Sequence, residues 1–143
     1  MASGSQHLAV QANLKSVEYA MSKQREKWLA LYRDDAIVSD PVGVSMFDPV
    51  GDGHHGKEAI ANFYDNVIAS AATSMEVGVH RIGGPLSCAV PMVATNELGE
   101  GISIKVEMIS VYHVDEQGLI KSLHAYWDWA KMEAELAEIF AQA

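Results

Sequence analysis

The hydrophobic period of this chain changes once, near Ser74, and that change constrains the fold more than any other feature. Before it, apolar residues recur at helical spacing; after it, they alternate. Val10, Leu14, Val17 and Met21 fall at i, i+4, i+7 and i+11, which predicts one stripe of an amphipathic helix. Trp28, Leu29, Leu31 and Tyr32 read as a second short helix, ended by Asp34-Asp35. Ala36 to Ser39 is a short strand candidate that runs into Asp40-Pro41, where proline removes a ladder donor and turns the chain. Residues 41–56 hold six glycines or prolines and read as loop. From Lys57 the pattern is helical again, with Ile60, Phe63, Tyr64, Val67 and Ile68 on a broad apolar face.

Beyond Ser74, Met75, Val77 and Val79 alternate with Glu76, Gly78 and His80 up to the turn at Gly83-Gly84-Pro85. Leu86 to Thr95 is a strand interrupted by Pro91, which suggests a bulge or an edge. Asn96 to Gly101 reads as a turn cluster and Ile102 to Val114 as a long strand. Asp115 to Gly118 is a hairpin turn, and Leu119 to Trp129 the last strand. Residues 130–143, rich in Ala, Glu, Met and Leu, predict a short C-terminal helix with Met132, Leu136 and Ile139/Phe140 on one side. Helices followed by hairpin-linked strands predict an α+β fold, a curved antiparallel sheet wrapped around three N-terminal helices. A length of 143 residues fits a single domain over 1–143, with 1–6 as a flexible tail.

Composition narrows the function. Ten Lys+Arg against nineteen Asp+Glu give a net charge of −9. Phosphate binding rests on clustered Lys/Arg, so neither nucleic acid nor an anionic membrane is an expected partner. The apolar runs are too short to cross a bilayer, and no signal peptide is evident at the start. The lone Cys88 excludes an internal disulfide and fits a reducing cytoplasm. The six histidines form no i, i+4 pair, so no metal is expected; His54-His55 reads as solvated loop. No phosphate-cradling glycine motif is present, and no cofactor is expected.

Asp40 is the residue with the most chemical interest. Alternation places it on the face of Val38, where a carboxylate against an apolar interior has a raised pKa and can shuttle a proton. The competing reading is an Asp-Pro turn in which Asp40 bonds its own backbone.

Three blocks resemble the bacterial ketosteroid isomerases. They are Tyr32-Arg-Asp-Asp-Ala-Ile-Val-Ser-Asp40-Pro-Val-Gly43, His55-Gly-Lys-Glu-Ala-Ile-Ala-Asn-Phe63-Tyr64, and Asp115-Glu-Gln-Gly-Leu-Ile-Lys-Ser-Leu-His-Ala125-Tyr-Trp127. They occur in the family's order, and the resemblance extends over roughly residues 10 to 129. The resemblance implies a cone of the nuclear-transport-factor-2-like fold around an apolar pocket, a homodimer, and a steroid-like or polyketide-like ketone as ligand. It implies Asp40 as the base that moves a proton on the carbon skeleton. Tyr32 and Tyr64 match tyrosines that support the family's oxyanion donor. Phe63, Met92, Val106, Met108, Ala125 and Trp127 fall on the positions that bind substrate.

The sequence departs from that pattern at both oxyanion donors. An ungapped count puts Ser16 where the family has a tyrosine and Ser110 where it has a protonated aspartate. Tyr19, one helical turn after Ser16, and Tyr112, two residues after Ser110 on the same strand face, are available substitutes. The 41–56 segment is longer than in the compact isomerases, and the C-terminal helix is additional. The expectations are therefore a proton-transfer isomerase with a weakened oxyanion hole, a non-catalytic binder of an apolar small molecule, or a related cyclase or lyase.

Overall fold

Helix α1 (Leu8–Met21) starts at His7, whose Nδ1 accepts the Ala9 N–H at 3.2 Å while Nε2 donates to the Gly84 carbonyl at 2.8 Å. The computed structural model describes residues 6–71, 73–99 and 101–142, so the tail expected over 1–6 lies, but for Gln6, outside the described residues. The buried face of α1 carries Ala9, Val10, Ala12, Asn13 and Ser16. Leu14, expected on the buried stripe, is 42% exposed. Small side chains let the helix seat closely on the concave side of the sheet, and this close fit, not the largest apolar side chains, decides which face turns inward.

Helix α2 (Arg25–Leu29) buries Trp28 and Leu29. Tyr32, expected at its end, instead opens strand β1 (Tyr32–Ser39), because it pairs with Ile120. The 41–56 segment is loop, closed by the two-residue strand β2 (His54–His55) on β1. His54 is correspondingly not solvated loop: its ring stacks on Phe63 at 4.9 Å, and burial lowers its pKa. Helix α3 (Gly56–Phe63) continues into one π-helical turn, Tyr64–Ile68. Such turns recur at functional sites.

The rest is sheet: β3 (Thr73–Val77), β4 (Arg81–Gly83), β5 (Ser87–Gly99), β6 (Ile102–Val114) and β7 (Ile120–Tyr126). The order is β2-β1-β7-β6-β5-β3, with β4 also on β5, in a curved, unclosed sheet of seven strands. The α+β class expected from the periodicity is found. The β5 strand runs four residues past the expected end at Thr95, because Thr73 to Val77 and Ile102 to Ile104 pair with its outer half. Pro91 lies inside β5, where it faces the gap between β3 and β4; there its carbonyl accepts the Gly78 N–H at 2.8 Å. A proline in a central strand is tolerated where the neighbouring strand is interrupted.

One pairing departs from the antiparallel expectation. Strand β1 runs parallel to β7, with Val38 opposite Leu123 and Ser39 opposite His124. A parallel pair cannot be joined by a tight turn, and here the connection is the whole remaining sheet. The core lies between α1–α3 and the sheet. At its centre Trp28 meets Tyr32 and Tyr64 at centroid distances of 4.7 and 5.2 Å. Helix α4 (Trp129–Ala141) is capped by Asp128, which accepts from Lys131 N at 3.1 Å, and buries no side chain fully. Among the described residues no helix is long and apolar enough to cross a membrane.

Candidate active site

The parallel pair positions the site. Because β1 and β7 run the same way, their C-terminal ends emerge side by side, and the residues just beyond them meet. Asp40 follows Ser39, Trp127 follows Tyr126, and Trp127 Nε1 donates to Asp40 Oδ1 at 2.6 Å. The backbone is strapped at the same place, since Val42 N donates to the Ala125 carbonyl at 2.9 Å across the cis Asp40-Pro41 bond.

Asp40 sits at the junction of two connected chambers. The inner one, about 150 Å³, lies between α1 and the sheet; Ser16, Phe63, Met92, Met108, Ser110 and Tyr112 are among its walls. The outer one, about 370 Å³, shares with the first a wall that includes Asp40, Phe63, Val67, Met75 and Met108, and adds Phe47, Val106, Trp127, Met132 and Leu136. Burial raises the Asp40 carboxyl above its ordinary value, and the Trp127 hydrogen bond pulls against that rise. The charged form is disfavoured by lost hydration and partly recovered by one donated bond. The carboxylate is thus a base stronger than a solvated aspartate, held at the edge of an apolar space.

At the deep end the polar groups converge. Tyr112 Oη donates to Ser16 Oγ across a long 3.5 Å. Burial raises the Tyr112 phenol, and the hydroxyl of Ser16 and the amide of Asn13 oppose that rise. Tyr32 is buried beside them. Burial and the Tyr112 phenol raise its pKa well above the ordinary value and the nearby Ser16 hydroxyl opposes that rise, although no group among the described residues meets hydrogen-bond geometry with the Tyr32 hydroxyl. Register explains the arrangement: Ser110 stands opposite Ala125 and Tyr112 opposite Leu123. One step past the Ser39–His124 pair, Asp40 falls in the row of Ala125 and Ser110. Ala125 is buried and on neither chamber wall.

The remaining candidates lie elsewhere. Tyr64 is buried against Trp28, and burial raises its phenol. Tyr19 is partly buried under Lys27, whose Nζ lies 5.8 Å from the ring centroid. Tyr19, Tyr32 and Tyr64 are on neither chamber wall. Two site residues carry no sequence signal that singles them out. Asn13 is fully buried; its Oδ1 accepts from His80 Nε2 at 2.8 Å and its Nδ2 reaches Met92 Sδ at 3.5 Å. Lys23 closes the other end, donating to the Ile68 and Ala71 carbonyls at 2.6 and 2.7 Å. Among the described residues no three His, Cys, Asp or Glu side chains gather as metal ligands.

With this geometry in place, relatives can be weighed. The SnoaL-like domain family matches residues 15–123. A steroid delta-isomerase of Nocardioides simplex is 30% identical over 98 residues, 68% of this chain and 72% of that protein. RV0760c of Mycobacterium tuberculosis, solved in complex with estradiol-17beta-hemisuccinate, is 32% identical with a TM-score of 0.81, covering 86% of this chain and 95% of its own. A Delta 5-3-ketosteroid isomerase from Mycobacterium sp. is 33% identical with a TM-score of 0.79, covering 85% and 94%.

Proposed function

We propose that this chain, which belongs to the SnoaL-like domain family and within it to the ketosteroid isomerase-like branch, binds a flat apolar ketone in its two chambers and moves a proton on it with Asp40 as base. The single observation that carries the reading is the placement of Asp40: one carboxylate, raised by burial, at the junction of two largely apolar chambers. A base whose pKa is lifted toward neutrality takes a proton from carbon more readily.

In this reading the carbonyl points to the deep end. Asp40 abstracts a proton from the carbon between the carbonyl and the double bond, and charge develops on the carbonyl oxygen as a dienolate. Tyr112 and Ser110, on one face of β6, donate to that oxygen; the single Tyr112 hydroxyl hydrogen, given to Ser16 in the free protein, turns to the oxyanion, and Ser16 donates to the phenol oxygen in its place. Protonated Asp40 then returns the proton further along the skeleton, which leaves the enone conjugated. The donors are weak ones. A serine hydroxyl is less acidic than a phenol, and burial makes the Tyr112 phenol less acidic still. Turnover is therefore slow beside an enzyme with strong donors, since one oxyanion donor is worth about 10²–10³ in rate.

The test is growth of conjugated-enone absorbance from a 3-keto-5-ene steroid. Wild type turns over slowly, and Tyr112→Phe lowers the rate by about 10²–10³. The serines at 16 and 110 also favour a second reading, a steroid binder without turnover. Binding with no absorbance change in any variant supports that one. Absence of both binding and turnover overturns both.

A further inference from the structure

We infer that the outer chamber is a subsite for the distal part of an elongated ligand, and that Met132 and Leu136 of α4, with Phe47 of the 41–56 loop, are the residues that set ligand length. The inference rests on the ketone reading above and names what that reading leaves open.

Volume limits what the inner chamber can hold. An apolar cavity of about 150 Å³ takes a single six-membered ring, and the inner chamber is about that size. A ligand whose reacting ring occupies it must place every further ring beyond Asp40. The outer chamber offers about 370 Å³ there. Together the two fall within the roughly 300–1,000 Å³ of ordinary small-molecule sites, so a multi-ring ligand needs both.

Met132 and Leu136 are four residues apart, so they share one face of α4, and both line the outer chamber. Phe47 faces them and is fixed from outside by Trp129, at a centroid distance of 5.6 Å edge-to-face. Trp127, which also lines the chamber, stands 6.3 Å from Trp129. The wall is thus a helix and a loop clasped by aromatic rings. No side chain of α4 is fully buried, although Met132 and Leu136 are apolar and half-covered. The part of Met132 and Leu136 that the protein leaves uncovered borders the outer chamber, where a ligand would cover it. Met132 adds an adaptable surface, since its unbranched thioether fits irregular shapes.

The test compares two probes that share a head. One is a four-ring 4-ene-3-keto steroid; the other is a two-ring octalone with the same enone. Their affinities are measured by calorimetry for wild type, the double variant Met132→Ala/Leu136→Ala, and Leu136→Trp. The inference expects the double variant to weaken the steroid at least ten-fold and to leave the octalone within two-fold. It expects Leu136→Trp, which fills the chamber, to exclude the steroid and keep the octalone. An equal loss for both probes, or an unchanged steroid affinity, overturns the role of α4 while the ketone site stands. Failure of wild type to bind either probe overturns the ketone reading and this inference with it.

Discussion

At the scale of single residues, the account turns on Asp40 and the two groups that set its proton affinity. Its carboxyl is raised by burial and lowered by Trp127. Raised affinity in the fold means that the native state holds this proton more tightly than the unfolded chain. The stability it contributes is full below the unfolded pKa and is lost as pH rises through the folded one. At neutral pH the charged Asp40 therefore costs stability. Asp40→Asn is expected to raise the thermal midpoint at neutral pH, with the gain vanishing in acid; a lower midpoint at pH 7 would contradict this. Activity has the opposite sense, falling as pH drops through the folded pKa. Trp127→Phe removes the bond that favours the charged form, so the acid limb of the pH–rate profile is expected to move to higher pH. Asp40 was legible as a candidate: alternation set it on the face of Val38, the Asp-Pro step offered a backbone-bonded turn instead, and only the resemblance to the isomerases favoured the inward carboxylate. Trp127 was legible only as a pocket residue. Its bond to Asp40 depends on strand direction, which single residues do not encode. Asn13 and His80 were not legible, since their contact joins a helix to a turn 67 positions away.

At the scale of elements, periodicity located nearly every helix and strand but not their pairing. The alternation that predicts a strand is blind to whether its neighbour runs parallel or antiparallel, so the β1–β7 pair was missed although both strands were found. The first helix was found as well, with part of its face misassigned: Leu14 has the hydrophobicity, while Ala12, Asn13 and Ser16 have the size that close packing needs. The loop after Asp40 depends on a close approach that composition only hints at. Gly53 has φ +88°, and a Cβ there would sit 2.5 Å from Ser39 Oγ and 3.1 Å from Ile37 Cγ2. Gly53→Ala is expected to lower stability by about 1–3 kcal/mol and to weaken ligand binding, because the strain falls on the strand that carries Asp40. Chemical unfolding checks the first effect; an unchanged midpoint would show that the loop yields freely.

For the whole molecule, the curved sheet divides labour between its faces. The concave side carries the chambers. The convex side exposes Ile109 and Tyr126, 51% and 53% accessible, beside Val79 and Pro91. An apolar convex face on a chain of net charge −9 is the surface through which we expect two copies to pair, as the isomerase resemblance implies. Sedimentation at micromolar concentration should show a dimer, and Ile109→Glu should yield monomers that still bind ligand; a wild-type monomer would contradict the pairing. The central claim is that this cone works as a proton-transfer site because it holds one tuned carboxylate against a bound ketone. The measurement that tests it most directly is the rate of enone formation by Asp40→Asn beside wild type, with steroid affinity measured on the same samples. The account predicts that affinity is kept while the rate falls by about 10²–10⁴, the worth of a positioned general base. A measurable wild-type rate that Asp40→Asn leaves unchanged would contradict it.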